Sequence, residues 1–129
     1  MPAFYAGFGC RRGCPADTLQ TLLHQALASQ GLALADLRGI ASISLKADEA
    51  GLQQLADRLG LPLVLYHSAQ LQVFEPLLSH RSAAAHAHSG CWGVAESTAL
   101  ALASQQAGTT ARLLLTRQIL GPATIALAC

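Results

Sequence analysis

Short apolar runs recur along the chain. Each of the first three leads into a stretch where apolar residues return every three or four positions. The run from Ala3 to Phe8 predicts a strand. Cys14 and Pro15 then open a helix, since the N–H that Pro15 lacks has no helical partner in a first turn. Leu19, Leu22, Leu23, Ala26 and Leu27 share one face at helical spacing, and Gly31 is placed to end the helix in the left-handed conformation. "RGIASISL", residues 38–45, predicts a second strand. Asp48 and Glu49 mark the next helix start, because acidic groups favour the positive end of the helix dipole. Leu52, Leu55, Ala56 and Leu59 form the buried stripe of that helix, and Gly60 ends it. "LPLVLYH", residues 61–67, is almost continuously apolar, the pattern of a strand covered on both faces. Ser68 caps a short helix that runs through Phe74.

The pattern breaks from Glu75 to Cys91. That stretch has no clear period and predicts a long, partly mobile loop. From Val94 to Gln106 the chain is Ala- and Leu-rich nearly all round, which predicts a closely packed helix. "RLLLT" and "ATIALA" predict two last strands, with "RQILGP" between them. Six residues are too few for a parallel crossover, so these strands should pair antiparallel. The expected fold is α/β: a single three-layer α/β/α domain over residues 1–129, with a mixed, mostly parallel sheet and an antiparallel C-terminal strand pair.

Composition narrows the function classes. The chain has 129 residues, one domain's worth, and only 12% are charged. Disorder needs more charge and fewer apolar residues. The net charge of +1 is too small for the broad basic surface that nucleic-acid binding requires. No apolar run approaches the roughly 18 residues of a membrane helix. The N-terminus shows no basic segment followed by a long apolar stretch, so no signal peptide is expected. These features predict a cytoplasmic protein with neither nucleic acid nor membrane as partner. Of the four cysteines, Cys10 and Cys14 have three residues between them rather than the two of a redox or zinc-ribbon pair. The expectation is reduced structural thiols.

In open α/β sheets, ligands bind beyond the carboxyl ends of the strands, where loops lead into helix N-termini. The unusual polar residues fall at those positions. Cys10, Arg11 and Arg12 follow the first strand; Lys46, Asp48 and Glu49 follow the second. Tyr66, His67 and Ser68 follow the third, and Thr116, Arg117 and Gln118 the fourth. This predicts an anion-binding rim. Glycines at 7, 9 and 13 let the backbone approach a ligand, and two guanidinium forks grip carboxylates or phosphates. The competing arrangement pairs Arg11 and Arg12 with Asp48 and Glu49, or sends them into water.

Two motifs fail. The first glycines are spaced GxGxxxG rather than GxGxxG, and no acidic residue ends the second strand where a ribose needs one. The Gly-Lys-Ser/Thr ending of a phosphate-binding loop is absent. His24 lies within an amphipathic helix and reads as structural or solvent-facing. His80, His86, His88 and Cys91 are spaced H-x5-H-x-H-x2-C, which matches no standard zinc pattern, so neither a metal nor another cofactor is expected. For catalysis, Cys10, His67, Asp48 and Glu49 are the candidate nucleophile, acid and base.

"GFGCRRGC", "IASISLKADEAGLQQLADRLGLPLVLY", "GVAESTAL" and "LLLTRQILGPATIALA" resemble the CobE / CbiG C-terminal domain family of cobalamin biosynthesis, in the family's order and over nearly the whole chain. Gly9, Cys10, Arg11 and Gly13 match its first motif; Lys46, Asp48, Glu49 and Gly51 its second; Glu96 its third. Cys14 stands where a small residue such as threonine is usual, and Arg117 where lysine is usual. The chain carries this domain alone, like the free-standing form of the aerobic route. The longer relatives open a lactone on a cobalt-precorrin ring. The resemblance therefore implies an α/β/α fold and a role in corrin-ring construction. It implies a corrin or precorrin intermediate as ligand, and leaves room for another cobalamin-pathway enzyme as partner. Corrin precursors carry acetate and propionate carboxylates around a flat apolar ring. Taken with the polar rim at the strand ends, the expected binding residues are Gly9, Cys10, Arg11, Arg12, Gly13, Lys46, Asp48, Glu49, His67, Glu96 and Arg117, with Trp92 among the apolar cover. The alternative is an enzyme that hydrolyses or rearranges a precorrin.

Overall fold

The computed structural model describes residues 3–129. Its elements run β1 (Phe4–Cys10), α1 (Ala16–Gln30), β2 (Leu37–Ile43), α2 (Ala50–Leu59), β3 (Leu63–Tyr66), α3 (Ser68–Leu71), α4 (Ala83–Ser89), α5 (Val94–Ala107), β4 (Leu113–Leu120) and β5 (Ala123–Ala128). The five strands form one sheet in the order β3-β2-β1-β5-β4. β1 pairs parallel with β2 and β2 with β3, whereas β5 pairs antiparallel with both β1 and β4. The sheet is thus mixed, two parallel pairings against two antiparallel. Among the described residues, no helix is long and apolar enough to cross a membrane.

Strand periodicity sorts the core into layers. Phe4, Ala6 and Phe8 of β1 and Ile125 and Leu127 of β5 are buried with Leu19, Leu22, Leu23, Leu52 and Leu55 of α1 and α2. Ala41, Ile43, Ala126 and Ala128 face the other way, toward Ala99, Leu100, Ala101 and Leu102 of α5. This is the expected α/β/α sandwich. The apolar stripes of α1 and α2 are the residues that the spacing selects, and Gly31 and Gly60 end both helices left-handed.

The face of β1 toward α5 explains one glycine. A Cβ on Gly7 would lie 2.0 Å from the Ala95 carbonyl oxygen. Gly7 therefore serves the close crossing of α5 over β1, not approach to a ligand. The helix of an all-apolar pattern seats on the centre of the sheet because this residue has no side chain.

Three segments differ from the sequence expectations. The 75–91 stretch is not one irregular loop. A 3-10 turn spans Gln72–Leu77, and α4 follows, capped by Ser82, whose hydroxyl accepts from the Ala85 N–H at 3.1 Å. Alanine's helix propensity and the left-handed Gly90 complete α4. The N-cap of α3 is His67 rather than Ser68; the Gln70 side chain accepts from the His67 N–H at 2.8 Å. "RQIL" belongs to β4, so the C-terminal pair is joined by a tight turn of Gly121 and Pro122. Gly121 has φ +54°, and the following proline is confined to negative φ, a combination that suits a type II′ hairpin turn.

Candidate functional site

A cleft of about 610 Å³ opens at the carboxyl end of β1. Because β5 runs antiparallel to β1, with Ala123 opposite Cys10, the turn of the β4–β5 hairpin lies at the same end of the sheet, beside the loop after β1. The Arg11 N–H donates to the Pro122 carbonyl at 2.9 Å and ties the two together. The loop then turns at Gly13, whose φ of +79° only glycine adopts readily. The Gly13 N–H donates to Glu49 Oε2 at 3.0 Å. Leu45 and Lys46 after β2, His80 and residues of α4, Trp92, and Val94 and Glu96 at the start of α5 add further wall.

Arg11 and Arg12 are exposed. Neither is in an ion pair; among the described residues only Arg58–Asp17 and His80–Glu96 approach within that range. Pairing of these arginines with Asp48 and Glu49 is therefore not observed, and their exposed side chains match the other competing arrangement, in which they reach into water. Arg117 adds a third guanidinium. It sits at a register irregularity within β4, between Leu115 and Gln118, not in a turn at the strand's end. Its Nε is buried and has no hydrogen-bond partner among the described residues. A buried unpaired N–H is costly, and an acceptor in the cleft would relieve that cost.

Glu96 is the polar centre of the wall. It is 1% exposed, in the first turn of α5. Oε1 accepts from the Ser79 N–H at 2.9 Å and the His80 N–H at 3.3 Å; Oε2 accepts from the Ser79 hydroxyl at 2.5 Å and the Arg117 N–H at 2.9 Å. Burial pushes its carboxyl upward, but the Ser79 hydroxyl and three backbone N–H groups outweigh it and hold the carboxyl below its usual range. Glu96 thus ties the segment before α4 and the irregularity of β4 to one helix end.

Gly9, Cys10, Arg11, Arg12, Lys46, Glu49, Glu96 and Arg117 all line the cleft, as does Trp92. Gly13, Asp48 and His67 do not. Gly13 positions the loop from outside. Asp48 is exposed, whereas its neighbour Glu49 turns in and holds Gly13. His67 follows β3, an edge strand two positions from β1, and bonds to Ser44 Oγ at 3.0 Å. A Cys10–His67 pair is thus not assembled. Burial pushes the Cys10 thiol up to about 11, against the lowering influence of Lys46, so it rests protonated. All four cysteines are free thiols.

The histidine segment is dispersed by α4. The His86 ring stacks on Trp92 with centroids 4.2 Å apart, Cys91 is buried with its thiol 3.5 Å from Ser97 Oγ, and His80 bonds to Ser79. Among the described residues, no three His, Cys, Asp or Glu side chains converge as a metal site. Sequence reasoning missed Ser79 and His80 as partners of Glu96. The available signal was the one charged residue of an otherwise uncharged helix, which must find partners when buried.

Residues 4–128 match the family described as "Cobalamin synthesis G C-terminus", and the chain belongs to this family of cobalamin biosynthesis. Among its relatives is "Protein CobE" of Sinorhizobium sp., 34% identical over 123 residues, which span 92% of this chain and 80% of that protein. The crystal structure of CobE, described as a protein from the cobalamin (vitamin B12) biosynthetic pathway, superposes with a TM-score of 0.94 at 44% identity; the match covers 99% of this chain and 92% of that one. The "Cobalt-precorrin-5A hydrolase" of Salmonella typhimurium is 41% identical over 70 residues, which make up 54% of this chain but only 20% of that enzyme.

Proposed function

We propose that the cleft binds a carboxylate-rich corrin or precorrin intermediate of cobalamin biosynthesis. The observation that carries this reading is the pair Arg11 and Arg12. They stand free of carboxylate partners among the described residues, beside Lys46 and the unpaired Nε of Arg117. Guanidinium forks grip carboxylates in bidentate fashion, and the apolar wall of Leu45, Val94, Trp92 and Ile119 suits a flat macrocycle. The cleft volume is in the range of small-molecule sites. A binding protein of this kind hands its ligand to an enzyme of the same pathway.

The alternative is turnover of the intermediate. Of the residues nominated for it, Cys10 and Glu49 line the cleft, whereas His67 and Asp48 lie outside the lining, and Cys10 is a protonated thiol. This favours binding over chemistry at those side chains. Titrating the protein into hydrogenobyrinate tests both readings. Binding shifts the ligand's visible spectrum and leaves its mass unchanged; a changed mass supports the enzyme, and an unshifted spectrum at saturating protein refutes the binding site.

A further inference from the structure

Ser79, His80 and Glu96 form a hydrogen-bonded chain that runs from the buried start of α5 to the cleft. Ser79 Oγ lies 2.5 Å from Glu96 Oε2 and 2.6 Å from His80 Nδ1. Glu96 is an ionised carboxylate and has no proton to give, so the Ser79 hydroxyl is the donor to it. A hydroxyl has one proton. Ser79 Oγ must therefore accept from the ring, and His80 Nδ1 carries hydrogen. The neutral ring then has its lone pair at Nε2, and Nε2 has no hydrogen-bond partner among the described residues. The side chain is 45% exposed and forms part of the cleft wall. Behind it, Nδ1 lies 3.7 Å from Glu96 Oε2, close enough for the buried carboxylate to balance a charge on the ring.

We propose that His80 is a proton-linked recognition residue of the cleft: its ring takes up one proton as an anionic group of the ligand binds, and then donates Nε2–H to that group. The inference rests on the reading of the cleft as a carboxylate site. The proton comes from solvent and adds to the Nε2 lone pair; no bond breaks in the protein or the ligand. Histidine changes charge between about pH 5 and 8, so uptake is available near neutrality. The other titratable groups that line the cleft are Cys10, whose thiol rests protonated, Arg11, Arg12, Lys46, Glu49, His88 and Arg117. The histidine among them, His88, on α4, has no hydrogen bond or ion pair among the described residues that would anchor it. His80 is the ring backed by a buried carboxylate.

Two measurements decide this. The first is nitrogen-15 NMR of the ligand-free protein above pH 8, where the neutral His80 ring should be the Nδ1–H tautomer and should lose that preference in Ser79→Ala. An Nε2–H ring in the wild type overturns the inference. The second is calorimetry of hydrogenobyrinate binding near pH 7.5 in buffers of different ionisation heat. Wild type should take up about one proton more per ligand than His80→Gln, which keeps the backbone N–H that holds Glu96. Binding with equal proton uptake in the two proteins overturns this inference alone. Absence of any binding by the wild type overturns the cleft reading and the inference together.

Discussion

Replacing Glu96 by glutamine tests the hydrogen-bonded centre of the cleft wall. The amide keeps the carboxylate's shape but presents NH2 where one oxygen stood. If NH2 takes the Oε1 side it meets the Ser79 and His80 N–H groups; if it takes the Oε2 side it meets the Ser79 hydroxyl and the Arg117 N–H. Either way two accepted hydrogen bonds are lost. Hydrogen bonds to a charged group contribute about 1.5–3 kcal/mol each. The amide is easier to bury than a carboxylate, and the hydroxyl can rotate, so the net loss should be about 3 kcal/mol. With an unfolding entropy of about 2.1 cal/mol/K per residue, that lowers the melting temperature by roughly 10 °C at neutral pH. The difference should also depend on pH. The folded carboxyl titrates below its unfolded value, so its contribution is complete above that value, near pH 4.3, and fades as pH falls through the folded pKa. Glutamine does not titrate, so the melting curves of the two proteins should converge in acid. A neutral-pH drop smaller than about 3 °C, or a gap that persists undiminished below about pH 3, would refute the reasoning.

Other consequences follow from single contacts. Gly7→Ala should lose about 3 kcal/mol or more in urea denaturation, because its Cβ would sit 2.0 Å from the Ala95 carbonyl oxygen of α5; wild-type stability would show that α5 does not cross β1 so closely. Cys10 should react with iodoacetamide at pH 8 about 100-fold more slowly than an ordinary thiol, its rate climbing toward a pKa of about 11; fast labelling of its peptide would contradict the burial that keeps it protonated.

The parts of the fold that were legible have local signatures. The stripes of α1 and α2 and the glycines that end them define those helices without reference to anything distant. The C-terminal strands read as an antiparallel pair because the connection is short, but the extent of β4 did not. "RQIL" mixes polar and apolar residues on an edge strand that is largely open to solvent, so its pattern does not separate strand from turn. Nothing local places β5 beside β1, yet that pairing brings the hairpin turn to the cleft. Within α4, the Ser82 cap and Gly90 were visible signals, outweighed by the lack of an apolar stripe.

The site divides in the same way. Arg11, Arg12 and Lys46 were legible because the ends of parallel strands converge on one side of a sheet. Of the adjacent acids, Glu49 rather than Asp48 turns inward, which depends on the turn geometry at Gly13. Glu96 was found by resemblance, but its partners Ser79 and Arg117 lie 17 and 21 residues away in sequence, beyond the reach of any spacing rule.

The most direct test is the affinity of Arg11→Ala, Arg12→Ala for hydrogenobyrinate. Both side chains are exposed and in no ion pair among the described residues, so their removal should leave the fold intact. If each makes a charge-assisted bond to a ligand carboxylate, the double variant loses about 2–4 kcal/mol, a Kd roughly 30- to 1,000-fold weaker than wild type. A folded double variant that binds with the wild-type Kd would contradict the account.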